Sequence, residues 1–150
     1  MLEIKVKRLH ADAILTKNRS QGIGIIELCA ITNGRIDPPG LVEVSTGLAL
    51  ELPEGYTMFI VANSKNGPKY GVGIANGFNI ITSDYHDEIK VVLNSSYPFK
   101  FFKGDKLAHG IVLPTAMMTF VEMDTPSFPE LFPHQPFPLV EITTRKGFNM

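Results

Sequence analysis

The chain has 150 residues, enough for one domain with its own core, and 44% hydrophobic against 19% charged residues excludes a disordered protein. A formal net charge of −1, with no Lys or Arg run longer than two, excludes a general nucleic-acid or anionic-membrane surface, so neither partner is expected. The single cysteine, Cys29, excludes an internal disulfide and reads as a small core residue; no apolar run reaches membrane-spanning length, and MLEIKVKRLH is not a secretion signal, so intracellular synthesis is expected.

Period-two alternation dominates the chain, as expected of half-buried strands. In Leu2–Leu9, the apolar Leu2, Ile4 and Val6 alternate with Glu3, Lys5 and Lys7. A single short helix is open at Ala11–Asn18 or at Lys65–Tyr70, and no segment keeps a helical period over three turns. From Val42 to Leu52, the even positions Val42, Val44, Leu48, Leu50 and Leu52 can share one face, with Glu43, Ser45 and Glu51 on the other. Val72 and Ile74 alternate in the same way, and the absence of a following helix argues against reading Gly71–Gly77 as a phosphate loop. Ile89, Val91 and Leu93 give one more strand. Asn33-Gly34, Asp37-Pro38-Pro39-Gly40, Pro53-Glu54-Gly55, Asn66-Gly67-Pro68 and Lys103-Gly104-Asp105 separate the strands. The expectation is an all-β fold, a jelly-roll-like barrel or sandwich, over residues 1–124.

Residues 125–150 differ. Thr125–Pro138, TPSFPELFPHQPFP, carries five prolines and three phenylalanines. Proline lacks an amide donor, so this stretch is neither a central strand nor a helix. The segment is expected to extend as an arm whose Phe128, Leu131, Phe132 and Phe137 dock on the same subunit, a neighbouring copy or another partner. Leu139–Thr144 adds a possible last strand.

Order, spacing and turns together resemble one family, the trimeric dUTP pyrophosphatases (dUTPases). VEVSTGLALELPEGY, Val42–Tyr56, is similar to the family's structural segment V.TGiai.lPeGy. Gly71–Thr82 matches GitvlNaPGtID without a gap, Asp84–Ile89 falls on DYRGEI, and Lys103–His109 falls on kGDRiAQ. The resemblance implies a jelly-roll-like barrel, a homotrimer with pockets at its interfaces, and a C-terminal arm that closes them.

Against the family's pocket motifs the chain departs repeatedly. Thr82 stands at the catalytic Asp, and a threonine hydroxyl is no useful general base near neutral pH, a function worth roughly 10²–10⁴ in rate. Asp84, two residues on, is a candidate replacement about 7 Å along an extended chain, and Asp87 a second. Asn63-Ser64 replaces Arg-Ser: Ser64 still offers one hydrogen bond to phosphate, but Asn63 lacks the charged fork. His109 replaces a Gln. In the region Gln21–Leu28, either register puts Gly24 or Ile26 at the metal-orienting Asp. The four histidines, His10, His86, His109 and His134, lack metal-ligand spacing. No metal is therefore expected, Mg²⁺ entering only with hydrolysis. The base cradle is better kept: Asn76 matches the uracil hairpin's Asn and Tyr85 the Tyr under the deoxyribose, while Phe78, Asn79 and Asp87 replace Pro, Gly and Gly. Arg145, Gly147 and Phe148 are a shortened echo of the Gly-rich lid.

Two functions fit this pattern. One is a dUTPase-fold homotrimer without efficient hydrolysis, a structural or binding module such as a capsid-decorating protein of a virion. The alternative is an active dUTP pyrophosphatase with a rearranged site, in which Ser64, Asn76, Tyr85, His109 and Phe148 line the pocket and Asp84 or Asp87 is the base.

Overall fold

The computed structural model describes residues 2–16, 24–63 and 71–122. The chain divides into two units, Met1–Met117 and Met118–Met150, and everything below concerns the first. Ser64, Lys65–Tyr70, the arm residues Phe128, Leu131, Phe132 and Phe137, the segment Leu139–Thr144, and Arg145 and Phe148 lie outside the described residues.

The described residues form strands and no helix. In chain order the strands are β1 (Lys5–Arg8), β2 (Ile25–Cys29), β3 (Gly34–Ile36), β4 (Leu41–Ser45), β5 (Leu48–Glu51), β6 (Tyr56–Ala62), β7 (Val72–Ile74), β8 (Phe78–Ile81), β9 (Lys90–Ser95), β10 (Phe99–Phe101) and β11 (Lys106–Pro114). Pairing is antiparallel throughout. A four-stranded sheet runs β2-β11-β6-β8 and a three-stranded sheet β4-β9-β7, with two-stranded ribbons β1-β5 and β10-β3. The all-β expectation holds.

The core follows from alternation. β6, YTMFIVA, sends Met58 and Ile60 inward, where both are fully buried, and leaves Phe59 and Val61 on the opposite face. Leu28 of β2, Val44 of β4, and Val91 and Leu93 of β9 join them in one cluster. Gly110 of β11 is small by necessity: a Cβ there would lie 2.6 Å from Met58 Sδ and 2.7 Å from Ile26 Cγ2.

Three local readings change. The run Val42–Leu52 is two strands, broken where Gly47 takes φ 67 with no room for a Cβ beside Ala13 and His10. The inward set nevertheless survives the break, with Val44, Leu48, Leu50 and Leu52 buried and Val42 against the core. The first strand is shorter than Leu2–Leu9: Ile4 and Val6 pack on the core, while Leu2 and Leu9 are exposed. Residues 11–16 are a turn and extended chain, not a helix, with Ala13 N–H bonded to His10 C=O at 3.1 Å.

The outer face of the four-stranded sheet carries a regular apolar grid. Directly opposed residues share a face. One row reads Phe78, Val61, His109, Glu27 and the next Ile80, Phe59, Ile111, Ile25. Phe78 and Ile80 are 51% and 52% exposed, and Leu113 at the end of β11 is 46% exposed. The Phe59 and Phe78 rings pack with centroids 5.9 Å apart.

Candidate functional site

The Asn76 turn makes an unusual opening. Gly77 N–H bonds Ile74 C=O at 2.9 Å, with Asn76 at φ 65 and Gly77 at φ 88. Asn and Gly tolerate this left-handed backbone, so the sequence closes a tight turn. Such a turn ordinarily joins two strands that pair with each other. Here β7 pairs with β9 and β8 with β6. Each is the edge of its own sheet, so the two strands part after the turn and their facing edges stay unpaired. The backbone donors and acceptors along those edges are available to a flat, hydrogen-bonding ligand.

Beyond β8 a second turn carries Thr82, Asp84 and Tyr85. Tyr85 N–H bonds Thr82 C=O at 3.1 Å, and the Thr82 hydroxyl donates to the Asp84 carboxylate. That hydroxyl bond, with a backbone bond beside it, holds the Asp84 carboxyl below the usual aspartate range. Asp84 is thus a stable anion and a weak base. Asp87 is exposed. Tyr85 is half-buried against the core and its hydroxyl donates to Glu88 C=O at 2.8 Å. Glu88 in turn clamps this turn to the β4–β5 corner, accepting from Gly47 N–H at 2.8 Å and from the Ser45 hydroxyl at 3.3 Å. The Thr46 hydroxyl adds a bond to Ile89 C=O at 2.6 Å.

The phosphate-side positions lie elsewhere. Asn63 is 7% exposed and its amide donates to Lys106 C=O at 3.3 Å, which turns it toward its own sheet. His109 is half-buried on β11, opposite Val61 and Glu27. Ile81 faces Met58, so Thr82 begins level with Thr57, six residues from Asn63 along β6. Six residues of strand span about 20 Å. A single chain therefore brings Thr82, Asp84 and Tyr85 together and keeps Asn63 and His109 at the far end of the sheet.

The metal position does not fit a cation. Gly24 C=O accepts from Val112 N–H at 2.8 Å, and a Cβ at Gly24 would sit 3.0 Å from Val112 O. Ile26 faces the core, and the neighbouring Glu27 is held by Lys106 at 2.7 Å. No cluster of three His, Cys, Asp or Glu occurs among the described residues.

Sequence reading named Asn76, Thr82 and Tyr85 but not the parting of β7 from β8, the Thr82–Asp84 bond or the Glu88 clamp. Asn76-Gly77 signals a turn; which sheet each arm joins depends on residues far away in the chain.

Comparison with known proteins identifies the family. A family model described as dUTPase matches residues 11–128. The chain is 33% identical over 126 residues to a deoxyuridine 5′-triphosphate nucleotidohydrolase of Wolinella succinogenes, covering 83% of this chain and 85% of that protein. It is 30% identical over 125 residues to the same enzyme of Helicobacter pylori, covering 82% and 86%. Among solved structures it resembles the dUTPase of phage phi11 of S. aureus, with a TM-score of 0.77 at 15% identity over 85% of this chain and 100% of that one. The dUTPase of Staphylococcus bacteriophage 80alpha gives a TM-score of 0.78 at 13% identity, with the same coverage. With a family model over most of its length and relatives at this identity and coverage, the chain belongs to the dUTPase family.

Proposed function

We propose that this chain binds deoxyuridine nucleotides between β7 and β8 and shares the activity class of its relatives, dUTP hydrolysis, with a slow chemical step. The observation that carries the reading is the pair of unpaired strand edges flanking the Asn76 turn. A pyrimidine presents donors and acceptors along its Watson–Crick edge, and strand backbone offers the same spacing of groups in return. The relatives, 30–33% identical over more than four-fifths of the chain, are named dUTP nucleotidohydrolases, which supports hydrolysis over a purely structural role.

The chemical step is slow on this reading because Thr82 cannot take a proton. Asp84, the nearest carboxylate, is engaged by Thr82 and stays ionised. A typical turnover of about 10 s⁻¹ reduced by the roughly 10² to 10⁴ that a general base supplies falls below ~0.1 s⁻¹. The separation of Thr82 from Asn63 and His109 means that one chain does not close the pocket, so the working unit is an oligomer of identical chains. The apolar outer face of β2-β11-β6-β8 is the surface that suits such association. Three copies is the stoichiometry the family resemblance implies.

A second reading rests on a specific observation: Asn63, Thr82 and His109, with Gly24 or Ile26, all depart from the residues a triphosphate pocket uses, while the framework persists. On that reading the chain binds nucleotide without turnover. No observation supports assembly into a larger lattice such as a capsid.

A dUTP hydrolysis assay with magnesium accompanying the nucleotide, run beside dUMP titration calorimetry, separates these outcomes. Binding with measurable slow turnover supports the first reading. Binding with none supports the second. Absence of both overturns the two together.

A further inference from the structure

We propose that Glu88 is a positioning residue for nucleotide binding: its carboxylate pins the second of two chain crossings that together set the separation of the β7 and β8 edges. The inference rests on the nucleotide reading above and adds a residue that governs affinity without touching the ligand.

The chain passes between the two larger sheets twice around that gap. The first passage is the Asn76 turn, from β7 to β8. The second runs over residues 82–89, from the end of β8 to the start of β9, and β9 is the strand that pairs with β7. Since β7 and β8 do not pair with each other, these passages and the core hold their edges at a set distance. The first passage is closed by its own backbone bond, Gly77 N–H to Ile74 C=O. The second is held from outside.

That hold is Glu88. One carboxylate oxygen accepts from Gly47 N–H at 2.8 Å and the other from the Ser45 hydroxyl at 3.3 Å. Gly47 is fixed on its other side as well, its C=O accepting from Leu9 N–H at 2.8 Å, with Ala13 and His10 packed beside its Cα. The β4–β5 corner is therefore a firm anchor. From it the hold passes back along the chain. Glu88 C=O accepts from the Tyr85 hydroxyl at 2.8 Å, and Thr82 C=O accepts from Tyr85 N–H at 3.1 Å, one residue past the end of β8. A carboxylate bonded to a backbone amide is among the stronger hydrogen bonds. A ligand bonded along two strand edges depends on their separation, because hydrogen bonds weaken steeply away from their preferred geometry.

The test uses the full chain with dUMP as probe, by titration calorimetry beside melting curves. Glu88→Ala should weaken dUMP binding by about tenfold, the effect of one charge-assisted hydrogen bond. Glu88→Gln keeps an acceptor oxygen for Gly47 N–H and should stay within about threefold of wild type. Gly34→Ala, in the separate β3–β10 ribbon, should lower the melting temperature and leave the dUMP constant unchanged. In the wild-type chain, dUMP should slow deuterium exchange at Gly47 N–H, because binding and clamp stabilise each other reciprocally. This measurement serves if the Ala variant does not fold. Four results overturn the assignment: Glu88→Ala binding dUMP as wild type does, Gly34→Ala weakening it equally, Glu88→Gln proving as weak as Glu88→Ala, or Gly47 exchange unmoved by bound dUMP. If the wild-type chain binds no dUMP, the nucleotide reading itself fails.

Discussion

At the scale of single residues, the chemistry turns on Thr82 and Asp84. Their direct bond follows from turn geometry, since Tyr85 N–H returning to Thr82 C=O folds the chain so that residues two apart touch. A hydroxyl donor stabilises the ionised carboxylate and so depresses its pKa. The stabilisation tied to this group is present above the ordinary aspartate pKa and fades as pH falls through the depressed value. Thr82→Val removes the donor, and the Asp84 carboxyl should then titrate higher, nearer the usual aspartate range. A carbon-detected NMR titration of the Asp84 side chain measures this, and an unmoved midpoint would contradict the assigned role of the Thr82 hydroxyl. Asn63 makes a complementary point. Its amide is spent on Lys106 C=O, so the side chain is committed to the sheet. The sequence shows that charge is missing at position 63; only the fold shows where the amide goes.

At the scale of elements, corners carry the construction. β3 and β10 pair with Gly34 opposite Phe101, and the ring covers the glycine so closely that a Cβ there would lie 2.1 Å from Cζ. Phe101 is itself 2% exposed, so the ring has little room to retreat. Gly34→Ala should therefore destabilise the fold by about 1–3 kcal/mol, the usual range for overpacking. Chemical denaturation measures it, and a change under a few tenths would show that the ring can shift freely. The same logic governs the β4–β5 corner, where Gly47 bends the chain and presents its amide to Glu88. That clamp links the corner to the turn holding Thr82, Asp84 and Tyr85, so the segment VEVSTGLALELPEGY supports the site without contributing a group to it.

At the scale of the whole molecule, the outer face of β2-β11-β6-β8 sets the expected assembly. An apolar row that crosses four strands, Ile80, Phe59, Ile111 and Ile25, and stays partly exposed is unusual on a lone soluble chain. Glu27 at the edge of the grid is already neutralised by Lys106, so two such faces can meet without like-charge repulsion. Ile80 is exposed enough that its replacement spares the core. Ile80→Lys should leave the melting transition of the isolated chain nearly unchanged and shift the sedimenting species from oligomer to monomer. An oligomer that persists at the same concentration would place the interface on another face.

Sequence alone settled the all-β class, the inward sets of most strands and the family resemblance, because side-chain alternation and turn chemistry are local properties written residue by residue. It also marked positions 63, 82 and 109, with 24 or 26, as departures from a hydrolytic pocket. The tertiary structure decided the rest. It split Val42–Leu52 at Gly47, sent β7 and β8 into different sheets, joined Thr82 to Asp84, and set Thr82 about 20 Å of strand away from Asn63. Each of these depends on which distant strand a segment pairs with, and pairing is fixed by the packing of a core assembled from the whole domain.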